Sequence, residues 1–311
     1  MLNRRHLRIR VLQALYAWHQ SSERDLIKAE RAFLKSLKEV KELYLFLLLY
    51  LVEIRDYAAN FIEESKIKKL PTKEDLNPNT KFIENLFLND LKCDPTLQSL
   101  AAEFKLSYAS EFEMVKKIFF NLKKTQDYQQ YMSVEDQDFC SDKNFVSKIF
   151  GKFLIEENHF QHLLEEKNIY WDDDLPFIAS MVVKTIKHSE KGKIDLMTLF
   201  KNKEDEQFCL DLFRKTIIHS DIYTELISSK TSNWEIERVA HIDLLLMQMA
   251  LTEILKMPTV PVKVAMNEYI DMAKYYSTPK SKNFVNGILD SLLLEFKKEG
   301  RIKKTGRGLI E

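Results

Sequence analysis

Apolar residues recur at helical spacing along almost the whole chain. Leu7, Val11, Leu15 and Trp18 share one face of a helix predicted from about Asn3 to His19, with Asn3 as its N-cap. The first proline is Pro71, and the first glycine comes later still. Because a sheet protein needs turn residues every few strands, so long a start without either breaker predicts long helices. The predicted fold class is all-α.

Residues 43–52, LYLFLLLYLV, form the longest apolar run. Ten residues are too few to cross a bilayer, which needs about 20, and charged residues flank the run. We therefore predict a buried helix rather than a membrane span. Around it, the pattern predicts one or two helices in 26–66, a polar connector in 66–80, two or three helices in 82–122 and an acidic linker in 132–144.

The chain repeats itself after that linker. Residues 145–171 and 208–234 align without a gap at an offset of 63. Identical pairs include Phe145/Phe208, Phe150/Phe213, Lys152/Lys215, Leu163/Leu226, Lys167/Lys230 and Trp171/Trp234. Two amphipathic helices of similar phase can match by chance, but a shared tryptophan favours duplication of a helical unit. We expect 145–185 and 208–248 to be related helix pairs, with both tryptophans buried.

Residues 261–290, PVKVAMNEYIDMAKYYSTPKSKNFVNGILD, are predicted to form two helices joined by a proline-containing turn. This segment resembles the C-terminal signature of the NusB family, RNA-binding proteins of bacterial transcription antitermination. The start is also similar to that family, through Arg4-Arg5-His6-Leu7-Arg8 followed by QALYAW. A third similarity runs from Trp234 through Asp243 to Glu253.

The resemblance implies a helical bundle of NusB type, enlarged by a helical insertion. We divide the chain on this basis into four segments. They are an arginine-rich first helix in 1–22 that packs with the C-terminal core, the insertion in 23–203, an RNA- and protein-binding core in 204–299, and a basic tail in 300–311.

Charge is zero overall but uneven along the chain. Residues 1–10 hold four arginines and no acid, and residues 297–311 carry a net charge of +4. Basic ends on an acidic body suit a localised polyanion contact, although such charges also simply keep chain ends soluble. The three cysteines are scattered, so neither a disulfide framework nor a zinc site is predicted and a reducing cytoplasm fits best.

No sequence motif indicates catalysis. A P-loop, a GxSxG elbow, an HExxH pair and a dinucleotide-binding glycine fingerprint are all missing. We therefore predict a protein that is not an enzyme and that holds no cofactor or metal.

The candidate RNA contacts begin on the first helix, with Arg4, Arg5, Arg8 and Tyr16. Guanidinium groups pair with phosphates, and an aromatic ring can stack on a base of single-stranded RNA. Taken alone, such a helix is more often a solvated face. The resemblance favours RNA and implies further contacts at the start of the last helix, from Lys280, Lys282 and Phe284.

The resemblance also implies the partners. They are a single-stranded boxA-like RNA, the small ribosomal protein NusE on an exposed face that includes Asp243, and the antitermination complex on ribosomal RNA operons. Two alternatives stay open. One is a NusB-like module associated with an RNA methyltransferase, although the glycine-rich cofactor loop of such enzymes is missing. The other is a helical scaffold that binds only proteins.

Overall fold

The structure is a computed structural model that describes residues 2–168, 171–231 and 239–309. Fifteen helices of α type lie in these ranges, and no β-strand does, so the predicted all-α fold is confirmed. The helices are α1 (Arg4–Gln20), α2 (Leu26–Lys66), α3 (Lys73–Leu76), α4 (Leu86–Cys93), α5 (Pro95–Glu103), α6 (Phe112–Lys124), α7 (Gln126–Ser133), α8 (Phe139–Ile149), α9 (Asn158–Lys167), α10 (Trp171–His188), α11 (Lys203–Ile218), α12 (Ser220–Ser228), α13 (His241–Lys256), α14 (Val262–Tyr276) and α15 (Ser281–Lys298).

Helix α1 forms as its sequence predicts. The Asn3 side chain accepts a hydrogen bond from the backbone N–H of His6, which caps the helix. Leu7, Val11 and Leu15 are fully buried on one face. The backbone N–H of Ser21 closes the C-terminal end on carbonyls of the last turn.

Residues 26–66 form one helix of 41 residues, because no glycine or proline interrupts them. The apolar run 43–52 lies in the middle of α2 and is buried except at the half-buried Leu49. Its apolar side chains face all directions, as in a helix packed on most sides. Among the described residues, no helix is long and apolar enough to span a membrane.

The chain divides into two compact units. Unit 1 comprises Met1–Leu37 and Phe200–Glu311. In it, α1 packs against α11 and α13, and α13, α14 and α15 pack against one another. Helix α13 is the centre of this unit, since every residue from Leu245 to Ile254 is buried.

Unit 2 comprises Lys38–Leu199, in which α8 packs against α4, α7 and α10. The predicted acidic linker in 132–144 is too long. Helix α8 already starts at Phe139, because the Asp138 carboxylate caps it by accepting from the N–H groups of Cys140 and Ser141. Asp138 and Asp142, which the sequence analysis placed in a linker, are the N-cap and a first-turn residue of α8.

The offset of 63 relates helices of unit 2 to helices of unit 1. Shifted by 63, the starts of α8 and α9 fall within one residue of the starts of α11 and α12. Many matched positions are buried in both units, among them Phe145/Phe208, Val146/Cys209, Ile149/Leu212, Phe150/Phe213, Phe160/Tyr223, Leu164/Ile227, Val182/Leu245 and Ile186/Met249. Trp171 is buried, whereas Trp234 lies outside the described residues.

Candidate nucleic-acid interface

The arginines of α1 do not share one environment. The Arg8 side chain is buried, and its Nε and Nη2 atoms each donate to a different oxygen of the buried Glu253 carboxylate at 2.7 Å. Tyr269 donates its hydroxyl to the same carboxylate at 2.5 Å. Burial lowers the pKa of Arg8 and Glu253 raises it, and the carboxylate prevails, so the pKa lies above its usual value.

Arg8 therefore fixes α1 to α13, and its predicted contact with RNA is wrong. The reason lies in the helical period, since Arg8 shares a face with the buried Leu12 and Leu15. Glu253 takes two of the five N–H groups of Arg8, and because only 3% of the side chain is exposed, the others cannot reach a phosphate in solution.

Arg4 and Arg5 remain at the surface. Arg4 is one-third exposed, donates its Nε to Asp205 at 3.0 Å and lies 4.8 Å above the Phe208 ring. Arg5 is 39% exposed and lies 3.5 Å from Asp271 of α14. The Arg5–Asp271 pair lies in water on both sides, where such ion pairs are weak, so Arg5 can exchange its carboxylate for a phosphate. Arg4 is paired with a buried carboxylate, and the exposed third of its side chain can contact a phosphate without leaving Asp205.

Tyr16 is 42% exposed and lies on the same stripe of α1 as Arg5. Eleven residues are just over three full turns, which separates the two side chains by about 16 Å along the helix axis. The Tyr16 ring meets the edge of the His241 ring at 5.7 Å, and His241 lies 5.1 Å from the His19 ring. Burial lowers the pKa of both histidines, so neutral rings hold Tyr16 in place near pH 7.

The start of α15 presents the other predicted contacts. Lys280 and Lys282 are exposed and Phe284 is half-buried. Between the two lysines, the Ser281 hydroxyl donates to Asp243 at 2.6 Å and lies 2.8 Å from the Thr278 hydroxyl. This network fixes the turn between α14 and α15. The backbone that carries the two lysines is therefore held in one conformation.

Asp243 is buried, with 4% of its surface exposed, and the expectation that it lies on an exposed face is wrong. One carboxylate oxygen accepts from Ser281, and the other has no hydrogen-bond partner among the described residues. Asp243 lies in the first turn of α13, and its carboxylate binds the first residue of α15 instead of facing solvent.

The start of α13 joins the two parts of this surface. His241 contacts Tyr16 of α1, and two residues later Asp243 binds Ser281 of α15. The arginine-rich helix and the lysine-bearing helix start are therefore anchored on one turn of backbone. We call the surface made by Arg4, Arg5, Tyr16, Lys280 and Lys282 the cationic face.

Sequence reasoning missed Tyr275 beside this face. Its ring is 66% exposed, and Lys274 lies 5.3 Å from the ring centre. Tyr275 follows Asp271, the partner of Arg5, by one helical turn. Its neighbour Tyr276 is 40% exposed. The doubled tyrosine just before a turn was the available signal, because two adjacent residues of a helix cannot both face the core.

Two residues of the basic tail pack against the C-terminal end of α13 and the residues that follow it. The Lys304 ammonium donates to the carbonyls of Glu253 and Met257 at 2.9 and 3.1 Å. Burial lowers the pKa of Lys304 to about 8, with a smaller opposing effect of Glu253. A side chain on Gly308 would meet the Pro258 carbonyl oxygen at 1.9 Å, so only glycine fits there.

The fold and the cationic face define an all-α bundle protein with mixed basic and aromatic side chains on α1, α14 and α15. The NusB family model matches residues 178–293, from within α10 to within α15. The chain is also similar to proteins named transcription antitermination protein NusB. The relative from Salinibacter ruber is 46% identical over 112 residues, which are 36% of this chain and 70% of the relative.

Two further relatives of the same name are similar over shorter stretches. The protein from Chloroherpeton thalassium is 49% identical over 85 residues, 27% of this chain and 40% of the relative. The protein from Finegoldia magna is 39% identical over 92 residues, 30% of this chain and 67% of the relative. No solved structure matches the chain. The chain belongs to the NusB family, as the sequence predicted.

Proposed function

We propose that this protein is an RNA-binding transcription antitermination factor that holds a single-stranded boxA-type element of ribosomal RNA operons on its cationic face. Family membership supports the antitermination role, since the relatives carry that name. The observation that carries the RNA assignment is the common anchoring of Tyr16 and the α15 start on the first turn of α13.

The chemistry of the face suits a single strand. Arg4 and Arg5 offer guanidinium groups that match phosphate oxygens, and the partly exposed Tyr16 ring can stack on an unpaired base. Lys280 and Lys282 add charge at the N-terminal end of α15, where the helix dipole also favours anions. Phe284 lies one turn further along that helix and is half-buried.

We further propose that NusE is the protein partner, as the family resemblance implies. Because Asp243 is buried, its carboxylate is not a direct contact in this proposal. It acts instead through Ser281, by fixing the turn that leads into α15. The division into 1–22, 23–203, 204–299 and 300–311 stays a prediction, with the RNA function placed in the first and third segments.

Electrophoretic titration with boxA RNA tests the RNA assignment. We expect Tyr16→Ala to weaken binding by about 1–3 kcal/mol at every salt concentration, because base stacking carries no counterion dependence. Phe112→Ala is the matched control, since Phe112 is a similarly exposed aromatic residue of unit 2, 51% exposed. A protein that binds only other proteins would shift no RNA at all, and equal losses in both variants would remove Tyr16 from the site.

A further inference from the structure

Unit 2 encloses a cavity that the RNA proposal does not use. It lies between the C-terminal half of α2, the connector that holds α3, and helices α6 and α7, and its volume is about 380 Å³. Four aromatic residues line it: Phe61, Phe82, Phe119 and Tyr128. Sites for small molecules and for side chains of partners have volumes of this order and a similar apolar lining.

The walls of the cavity are fixed without an occupant. The Lys68 ammonium bridges to Asp75 at 2.9 Å, which ties α3 to the end of α2. The Asn79 side-chain amide donates to the Met132 carbonyl at 2.9 Å and ties the connector to α7. A preformed cavity lowers the entropic cost of binding.

One polar group in the lining lacks a partner. The Ser65 side chain is among the lining residues, Ser65 is only 4% exposed, and its hydroxyl forms no hydrogen bond within the described part of the chain. A buried hydroxyl without a partner costs free energy. An occupant with an apolar body and a hydrogen-bonding atom would satisfy it.

The rim of the cavity is both apolar and basic. The connector exposes Ile67, Leu70 and Leu76 by 84%, 90% and 54%. Lys123 lines the cavity, and Lys73 and Lys124 are sequence neighbours of lining residues. Lys69 lies in the same connector, and within the described ranges none of these four exposed lysines forms an ion pair. One exposed acid, Glu74, also lines the cavity, so the four lysines exceed it in charge. The Lys123 ammonium lies 5.4 Å from the Phe61 ring centre, at the edge of the aromatic lining.

This combination selects one kind of occupant. Unpaired lysines attract carboxylates and phosphates alike, but three exposed aliphatic side chains give no contact to a phosphate backbone. They do suit a protein chain that carries acidic residues around a large apolar side chain. The backbone of such a chain also supplies the acceptor that the Ser65 hydroxyl lacks.

We propose that this cavity of unit 2 is a docking site for an acidic peptide segment of a partner protein. One aromatic or large aliphatic side chain of the peptide fills the cavity, and its carboxylates meet Lys69, Lys73, Lys123 and Lys124. The site is separate from the cationic face, and the proposal does not depend on RNA binding.

Fluorescence anisotropy of labelled synthetic peptides, titrated with the full chain, tests the proposal. The probes are an acidic peptide with one central Trp, the same peptide with Trp replaced by Ser, and the same peptide with its acids replaced by amides. We expect the Trp→Ser change to weaken binding about thirtyfold, as for an anchor in a pocket. Replacing the acids should remove most of the salt dependence.

Variants of the chain locate the site. Ser65→Phe and Ile62→Trp fill the cavity from two positions and should each match the loss caused by removing the peptide Trp. Lys73→Glu with Lys123→Glu should weaken binding about three- to tenfold. Lys201→Glu, an exposed lysine of unit 1, is the control and should bind normally. Circular dichroism identifies a filling variant that fails to fold, and the other then decides.

Three outcomes overturn the proposal. The acidic Trp peptide binds no better than its Ser counterpart, a folded cavity-filling variant binds it normally, or an unstructured oligouridylate displaces it and itself loses affinity in the lysine variants. The last result would make the rim an RNA surface instead.

Discussion

The two copies of the repeat share their apolar frame and differ in their polar contacts. Val182 and Ile186 of α10 match Leu245 and Met249 of α13, and all four are buried. Even a local hydrogen bond is matched, since Ser189 donates to the Thr185 carbonyl and Thr252 to the Gln248 carbonyl, each four residues back. The two copies differ in the partners of their buried charged residues.

A buried acid in the first turn of a helix shows this difference. Asp142 of α8 and Asp205 of α11 are matched positions, and both are buried. Asp142 accepts from neutral donors, the Tyr131 hydroxyl at 2.6 Å and the Leu86 backbone N–H at 2.7 Å. Asp205 faces the Arg4 guanidinium. Unit 1 therefore uses the position to hold a surface cation, and unit 2 uses it to close its own core.

The largest expected effect concerns Glu253, which matches the exposed Glu190 of unit 2. Glu253→Ala should lower the free energy of unfolding by about 3–5 kcal/mol, because it leaves the buried Arg8 charge without its partner. Glu190→Ala should change it by less than about 0.5 kcal/mol. Urea denaturation followed by circular dichroism measures both. Similar losses in the two variants would contradict the comparison.

A smaller contrast is expected between the two buried aspartates. Asp142→Ala should cost about 3 kcal/mol, because it removes a charged acceptor from several buried donors. Asp205→Ala should cost less than about 1 kcal/mol, since it frees a partly exposed arginine. The same denaturation experiment ranks the two losses in free energy of unfolding. The reverse order would show that Asp205 stabilises the core more than its contacts indicate.

The cationic face predicts a salt effect confined to unit 1. Each phosphate neutralised on a single strand adds about 0.7 to the slope of log affinity against log salt. Replacing Arg4 and Arg5 with Gln should therefore lower the slope for boxA RNA by about 1.4. Lys69→Gln with Lys73→Gln, an equal charge loss in unit 2, is the control. An unchanged slope in the arginine variant would direct attention to the tail.

The smallest effect is a pH dependence shared by both units. Burial lowers the pKa of Lys41 to about 8, as it does for Lys304, and both ammonium groups donate to backbone carbonyls. The unfolded chain binds more protons at these lysines between pH 8 and about 10.4, so stability should rise with pH in that window. Each lysine should contribute about 1 kcal/mol or less, because both are partly solvated.

Urea denaturation at several pH values between 8 and 10 checks this, with Lys41→Met and Lys304→Met as paired variants. Each variant should show a flatter rise than the unchanged chain, and the flattening should be larger for the more deeply buried Lys41. If stability instead falls between pH 8 and 10, in the unchanged chain and in both variants alike, the pH dependence comes from other groups.

Elements that depend on local sequence were predictable. The Asn3 cap, the helical start without breakers and the matched apolar positions of the repeat follow from spacing alone, and the structure has them. The roles of Arg8 and Asp243 did not follow. Each depends on a residue far along the chain, Glu253 for Arg8 and Ser281 for Asp243. A polar residue on a helix does not reveal whether a distant partner will bury it.

The pairing of Asp243 with Ser281 has a consequence for natural variation. The two positions are 38 residues apart in sequence, yet one hydrogen bond makes the choice at either depend on the other. A chain that loses the hydroxyl leaves a carboxylate buried in the core, and a chain that loses the carboxylate leaves the turn before α15 unsupported. Positions 243 and 281 should therefore covary among related chains. A variant that combines the residue of one chain at 243 with that of another at 281 should be less stable than either chain.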